Sequence, residues 1–305
     1  MATKKVPAKV REIRDFKVKQ VAGAKSISFS QLSVYLNCPR CWERMYLRKE
    51  APFEPSIHLI FGTAIHETLQ SWLDTLYNNS VKAAGEMNLP NIFEEKFKRL
   101  YLSTRKTTGK DFSTSAQLQE FYEDAVAILD YIVKHRLGIF STKKIYLVGC
   151  EIPIYTQLQK NFYFKGYIDI LTYEEGRDVW KIWDIKTSTR GWSEEKKDFI
   201  KCSQVSLYRE FLHRQFDIPL EKIETEYLIV KRKLPQDPIY PAQSRRIQEF
   251  SPGDGPKIHN KVVNQVNTFL TEAINSEGEY FDKTYSRNPS DKNCKWCIFK
   301  DTCTG

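Results

Sequence analysis

The chain has 305 residues, of which 41% are hydrophobic, 13% aromatic and 28% charged, and its formal net charge is +9. That length and apolar content support a large folded core, and the positive balance favours a polyanionic partner over an acidic one. No apolar run approaches the roughly twenty residues of a membrane span, and the charged start Met1-Ala-Thr-Lys-Lys5 is no secretory leader, so a cytoplasmic protein without membrane contact is expected.

Residues 1–25 carry Lys4, Lys5, Lys9, Arg11, Arg14, Lys17, Lys19 and Lys25 against Glu12 and Asp15, with little periodicity. They read as a flexible basic arm able to touch phosphate. The motifs beyond it spread over 26–305 and indicate one domain. Helical spacing appears at 31–47, 61–77, 92–102, 115–136, 194–215 and 257–275, and strand patterns at 145–157, 162–173, 179–186 and 223–231. The short link Glu174-Glu-Gly-Arg177 makes the second and third strands antiparallel neighbours. A Pro-rich loop from Pro235 to Pro256 lies between Lys231-Arg-Lys233 and the start of the last helix and contains Arg245-Arg246. Its length suits the border of a nucleic-acid channel. There is no internal repeat, and no phosphate-binding Gly-x4-Gly-Lys-Ser/Thr loop, so a fused helicase motor is not expected.

The chemistry concentrates in about sixty residues. In Trp180-Lys-Ile-Trp-Asp-Ile-Lys186 the two-residue period puts Asp184 and Lys186 on one face and Trp183 and Ile185 on the other. The same acid-x-lysine spacing at Asp15/Lys17, Glu94/Lys96, Glu194/Lys196 and Glu195/Lys197 lies in polar surroundings, where a solvated face explains it. Only Asp184/Lys186 interrupts an apolar strand, and charges there are costly unless paired or bound to metal. The neighbouring strand carries Asp169 and the one before it Glu151. His66 lies beside the apolar stripe of helix 61–77, where most histidines simply pack, although a neutral imidazole can ligate metal. Gln204 and Tyr208, four apart, share a helix face.

Seven cysteines complete the inventory. Cys294-x2-Cys297-x5-Cys303 closes the chain and Cys38-x2-Cys41 lies far upstream, a spacing that reads as a metal site rather than disulfides in a chain without a leader. Cys150 and Cys202 sit alone in apolar contexts and read as packed thiols.

Taken in order, Gly62-x3-His66, Glu151, Gly166-x2-Asp169, Asp184-x-Lys186 and Gln204-x3-Tyr208 resemble the RecB-like branch of the PD-(D/E)XK nuclease superfamily. The opening Ser28-Phe-Ser-Gln-Leu-Ser33 and Tyr35-Leu-Asn-Cys-Pro39 are similar to its Ser-rich helix start and Cys-Pro pair. The resemblance implies an α/β fold with a restriction-endonuclease-like core: a central mixed sheet flanked by helices, a helical N-terminal insertion and a Cys-rich C-terminal segment. It implies Mg2+ or Mn2+ held by Asp169, Asp184, His66 and the Ile185 carbonyl, with Lys186 orienting water, Glu151 acting through water, and Gln204 and Tyr208 positioning the strand. The expected activity is that of an exonuclease on single-stranded DNA or DNA with free ends, alongside recombination, replication or CRISPR adaptation proteins.

The cysteines are similar to the iron-sulfur subgroup, which includes the CRISPR-associated RecB-like exonucleases and the AddB nuclease domain. That likeness implies a 4Fe-4S cluster on Cys38, Cys294, Cys297 and Cys303, stapling the two ends of the domain. Cys41 departs from the pattern, and a tetrahedral zinc site of Cys38, Cys41, Cys294 and Cys297 stays open; it would leave Cys303 unused. The rival to an enzyme is a metal-cluster scaffold or nucleic-acid-binding component whose cleavage is secondary or lost.

Overall fold

The computed structural model describes residues 6–194 and 197–303. Lys4 and Lys5 of the basic arm lie outside them, as do residues 195 and 196, which belong to two of the acid-x-lysine pairs. The elements run α1 (Ala8–Arg14), β1 (Lys25–Ile27), α2 (Phe29–Asn37), α3 (Pro39–Trp42), a π-helical turn (Glu43–Leu47), α4 (Ile57–Asn78), α5 (Val81–Glu86), α6 (Leu89–Thr108), α7 (Ser115–Lys134) and α8 (Arg136–Ile139). They continue through β2 (Ile145–Gln159), β3 (Phe162–Glu174), β4 (Val179–Ser188), α9 (Phe199–Phe216), β5 (Ile223–Lys231), β6 (Ile247–Phe250), α10 (Pro256–Ala273) and α11 (Asp291–Cys294). The fold is the expected mixed α/β arrangement, a six-stranded sheet with helices on both faces.

β3 is the hub of that sheet. β2 pairs along one of its edges, antiparallel, while β1 and β4 share the other: β1 runs parallel to it at Phe162–Phe164, and β4 antiparallel from Ile170 to Glu174. β4 and β5 are parallel and joined through α9, and β6 closes the far edge against β5. Side chains alternate between two cores. Ile182, Tyr227 and Ile229 pack with α2, α9 and α10, whereas Trp183, Ile185, Leu228 and Val230 pack with α4, α6 and α7.

Several expectations are corrected. Residues 8–14 are not part of a flexible arm: Val10 and Ile13, three apart on α1, are fully buried in the first core. Arg14 donates from Nη2 to the Leu147 carbonyl (2.6 Å) and from Nε to that of Val148 (3.2 Å), where β2 shifts register, so its charge serves the fold. The single helix expected at 31–47 breaks at Cys38, whose extended backbone (φ −159°) is what a following proline imposes. The helix expected from 194 begins at Phe199, where the Asp198 carboxylate accepts from the Lys201 amide. The 235–256 loop contains β6.

If α1 is integral, Ile13→Ala should cost about 2–4 kcal/mol in chemical denaturation, the range for truncating a fully buried aliphatic side chain. A change below about 0.5 kcal/mol, typical of surface positions, would show α1 to be dispensable.

Candidate active site

The β3–β4 ladder ends at the pair Ile170↔Trp183. The next positions in that register are Asp169 and Asp184, so the two carboxylates face each other where the strands part, while β4 stays paired to β5 as far as Ser188. Asp169 Oδ2 accepts from the Ile185 amide at 2.7 Å, so a side chain takes over where backbone pairing stops. Asp184 is 1% exposed. Its Oδ2 meets the Lys186 ammonium at 2.7 Å, and its Oδ1 has no hydrogen-bond donor among the described residues.

The surrounding elements converge on this fork. Lys186 Nζ donates to Gln204 Oε1 (2.9 Å) on α9, and Gln204 Nε2 donates to the Tyr208 hydroxyl (3.2 Å). The Tyr208 ring fits there because Gly166 has no side chain: a Cβ would lie 2.8 Å from its Cε1. α4 crosses the other side. Its Gly62 packs so closely that a Cβ would approach Thr187 Oγ1 to 3.0 Å, and one turn later His66 Nδ1 lies 3.6 Å from Asp169 Oδ2. Another turn on, Gln70 Nε2 donates to Glu151 Oε1 (2.7 Å) and to the Asp169 carbonyl (3.4 Å). Gln70 escaped the sequence reading; its signal is the four-residue step from His66 on one helix face.

Glu151 lies opposite Asp169 with its backbone in the left-handed region (φ +53°), unusual for a residue with a side chain. Here the strands change phase: Ile152 and Ile168 pack in the first core, Ile170 in the second. That switch puts Asp169 at the seam between the cores, beside a groove of about 410 Å³ lined by Ser28, Lys165 and Tyr167 together with Gln204 and Tyr208.

Burial sets the electrostatics. It pushes both Asp169 and Asp184 up to about 6, against the Lys186 charge that pulls each down. It lowers His66, favouring the neutral imidazole that a metal requires. For Lys186 burial acts against the charge, yet Asp184 and Asp169 raise its ammonium above the ordinary range. Among the described residues no three His, Cys, Asp or Glu side chains are already arranged around a metal position. The donor set nevertheless suits a hard cation: a sealed carboxylate with an unpartnered oxygen and a second carboxylate across the fork.

The cysteines gather elsewhere. Cys38, Cys41, Cys294, Cys297 and Cys303 line one cavity of about 140 Å³ between α2–α3 and the C-terminal segment. Burial, with Cys297, Cys38 and Cys303 as neighbours, pushes the Cys41 thiol up to about 12. Cys150 is half-buried beside the second core and Cys202 buried in the first.

A family model described as the PD-(D/E)XK nuclease superfamily matches residues 26–304. The chain belongs to the PD-(D/E)XK nuclease superfamily. Membership supports a metal-dependent nuclease acting on nucleic acid, and the matched span takes in both the fork and the five clustered cysteines. No curated protein matches the chain. No helix among the described residues is long and apolar enough to cross a membrane.

The raised carboxyls give this nuclease a pH signature. Because they protonate more readily folded than unfolded, stability is lost as pH rises from about 4 through 6, and the loss is complete above that window. Asp184→Asn keeps the shape and removes the charge, so it should stabilise the metal-free protein by about 1–3 kcal/mol near pH 7.5 and by almost nothing near pH 4. Urea midpoints of the two proteins across that range provide the check; a variant less stable at every pH would contradict it.

Proposed function

We propose that the protein is a RecB-like exonuclease that hydrolyses phosphodiester bonds of single-stranded DNA or DNA ends with Mg2+ or Mn2+. The observation that carries this reading is the sealed Asp184 carboxylate, faced by Asp169 across the β3–β4 fork, with Lys186 on its Oδ2 and no partner for its Oδ1 among the described residues. A structural carboxylate in such a place would have its hydrogen bonds filled.

Asp184 and Asp169 would hold the cation, with the His66 ring and the Ile185 carbonyl as further ligands and Glu151 acting through water. When bound, such a cation neutralises the scissile phosphate, lowers the pKa of a bound water and offsets charge on the leaving oxygen. Lys186, held by Asp184 and Gln204, keeps a proton donor beside the phosphate and offsets charge developing in the transition state. Tyr208 locks Gln204, and Gln204 aims Lys186. The single-strand preference draws support from Tyr167, 47% exposed on the strand that carries Asp169 and lining the groove beside it, as a stacking platform.

The thiol-lined cavity is read as the seat of a 4Fe-4S cluster held by Cys294, Cys297, Cys303 and one of the Cys38–Cys41 pair. Thiolates supplied by chain segments far apart in sequence are the donor chemistry such a cluster uses. The nuclease would then act within a recombination, replication or CRISPR adaptation assembly.

Asp184→Ala should reduce metal-dependent degradation of end-labelled single strands by orders of magnitude while leaving salt-sensitive binding in place. Lys186→Ala should lose turnover and retain metal binding, measured by calorimetry. Near wild-type degradation by Asp184→Ala would remove the assignment.

Anaerobically purified protein should be brown, and Cys294→Ala, Cys297→Ala or Cys303→Ala should each bleach it. Comparing Cys38→Ala with Cys41→Ala identifies the fourth ligand, and a colourless protein with stoichiometric zinc would replace iron-sulfur by a zinc site.

A further inference from the structure

Three basic residues follow one another at the end of β5, and they are treated differently by the fold. Arg232 and Lys233 both meet the carboxylates of Glu120 and Asp124 on α7, at 2.8–2.9 Å. Lys231 is the most buried of the three, 7% exposed, and among the described residues its ammonium donates to the carbonyls of Ala242 and Gln243 alone, at 3.3 and 3.4 Å. Burial, with Arg245 and Arg246 nearby, holds that ammonium below the ordinary lysine range.

A buried ammonium surrounded by other cations is costly unless an anion joins it. The placement is also enforced. Gly191 turns through the left-handed region (φ +91°) against the Lys231 stem, where a Cβ would lie 3.0 Å from Cδ. Lys231 thereby lines a cavity of about 780 Å³, with the exposed Arg190 and Arg245 also on its wall. The carboxylate in the lining is Glu249, which burial and the neighbouring Glu226 push up, so it is a weak counter-ion for three cations. Two carbonyls use two of the three ammonium donors, and among the described residues the third has no acceptor and is left to one in the cavity.

We propose that this cavity holds a phosphate of the nucleic-acid strand being cut, as an anchor separate from the catalytic fork. The proposal rests on the nucleic-acid reading above. A strand is favoured over a free anion by position. Lys231 pairs with Ser188, and Ser188 follows Lys186 by two residues, about 7 Å of extended chain. The chain turns just beyond Ser188, whose hydroxyl donates to the Gly191 carbonyl and accepts from its amide, and Arg190 in that turn lines the same cavity as Lys231 and Arg245, so a strand running from the fork past the C-terminal ends of β4 and β5 meets all three cations.

The test uses the full chain in chelator, with fluorescence anisotropy on labelled single strands of about 20 and about 5 nucleotides, lengths that bracket a typical binding footprint. Lys231→Met, Arg190→Gln and Arg245→Gln should each weaken the long strand about three- to ten-fold, reduce the slope of log affinity against log salt by about 0.7 for each phosphate no longer neutralised, and shrink the long-to-short affinity ratio. Arg190 and Arg245 are exposed, so those two variants carry the test if Lys231→Met fails to fold. Unchanged affinity and slope in the variants would overturn the anchor. So would inorganic phosphate that raises the melting temperature of wild type but not of Lys231→Met while long-strand affinity stays the same in all three, since that marks a free-anion site. Asp184-dependent cleavage with unaltered binding in the variants sinks the anchor alone; strand binding that the variants weaken, without any metal-dependent cleavage, sinks the nuclease reading alone.

Discussion

The sheet has to part in its middle without leaving backbone groups unsatisfied, and most of the site follows from that requirement. Between Phe164, the last partner of β1, and Ile170, the first partner of β4, one edge of β3 has no strand beside it. The gap is bridged by a carboxylate, with Asp169 accepting from the Ile185 amide that the ladder no longer serves. Placing a second carboxylate, Asp184, at the same point makes the fork electrostatically unstable on its own. Lys186 offsets part of that instability, and Gln204 and Tyr208 keep Lys186 from swinging away. Asp184, Lys186, Gln204 and Tyr208 thus form one connected run of contacts, so their contributions are not independent of one another.

Much of this was legible because it obeys short-range periodicity. The alternation in β4 put Asp184 and Lys186 on one face, and the apolar stripe of α4 put His66 beside it. Other parts depend on pairing between distant segments. β1 and β6 have three and four residues and become strands only because β3 and β5 offer an edge. α1 offers only Val10 and Ile13 as a signal, too few to stand out among the charges of residues 1–25. The phase change at Glu151 leaves no trace in composition, since a left-handed backbone at a glutamate is set by the strands around it. Likewise the spacing of the cysteines is visible in sequence, but the gathering of all five, Cys41 included, on one cavity is not.

The segment around α3 and the C-terminal segment meet through polar contacts. Glu43, 3% exposed, receives Arg40 (2.7 Å) and Arg48 (2.6 Å) and accepts from the Tyr285 amide (3.2 Å), and these partners together hold its carboxyl below the usual range despite burial. Asn293 donates to the Asn37 carbonyl and Arg44 to Thr302 Oγ1. Removing either arginine would leave a buried carboxylate short of a partner, a costly kind of defect. The cysteine cavity therefore sits on a junction that polar contacts already close, so a metal there would reinforce an existing join.

β2 has 15 residues, and one of its long edges is left without a strand partner among the described residues. Long, straight outer strands template pairing with other chains and hence aggregation. Two features already described oppose that: Arg14 occupies the carbonyls of Leu147 and Val148, and the left-handed Glu151 breaks the straight run a few residues further on. The opposite outer strand, β6, is too short to serve as a template. The distortion that brings Asp169 to the seam of the two cores thus also helps keep the molecule from adding strands of its neighbours.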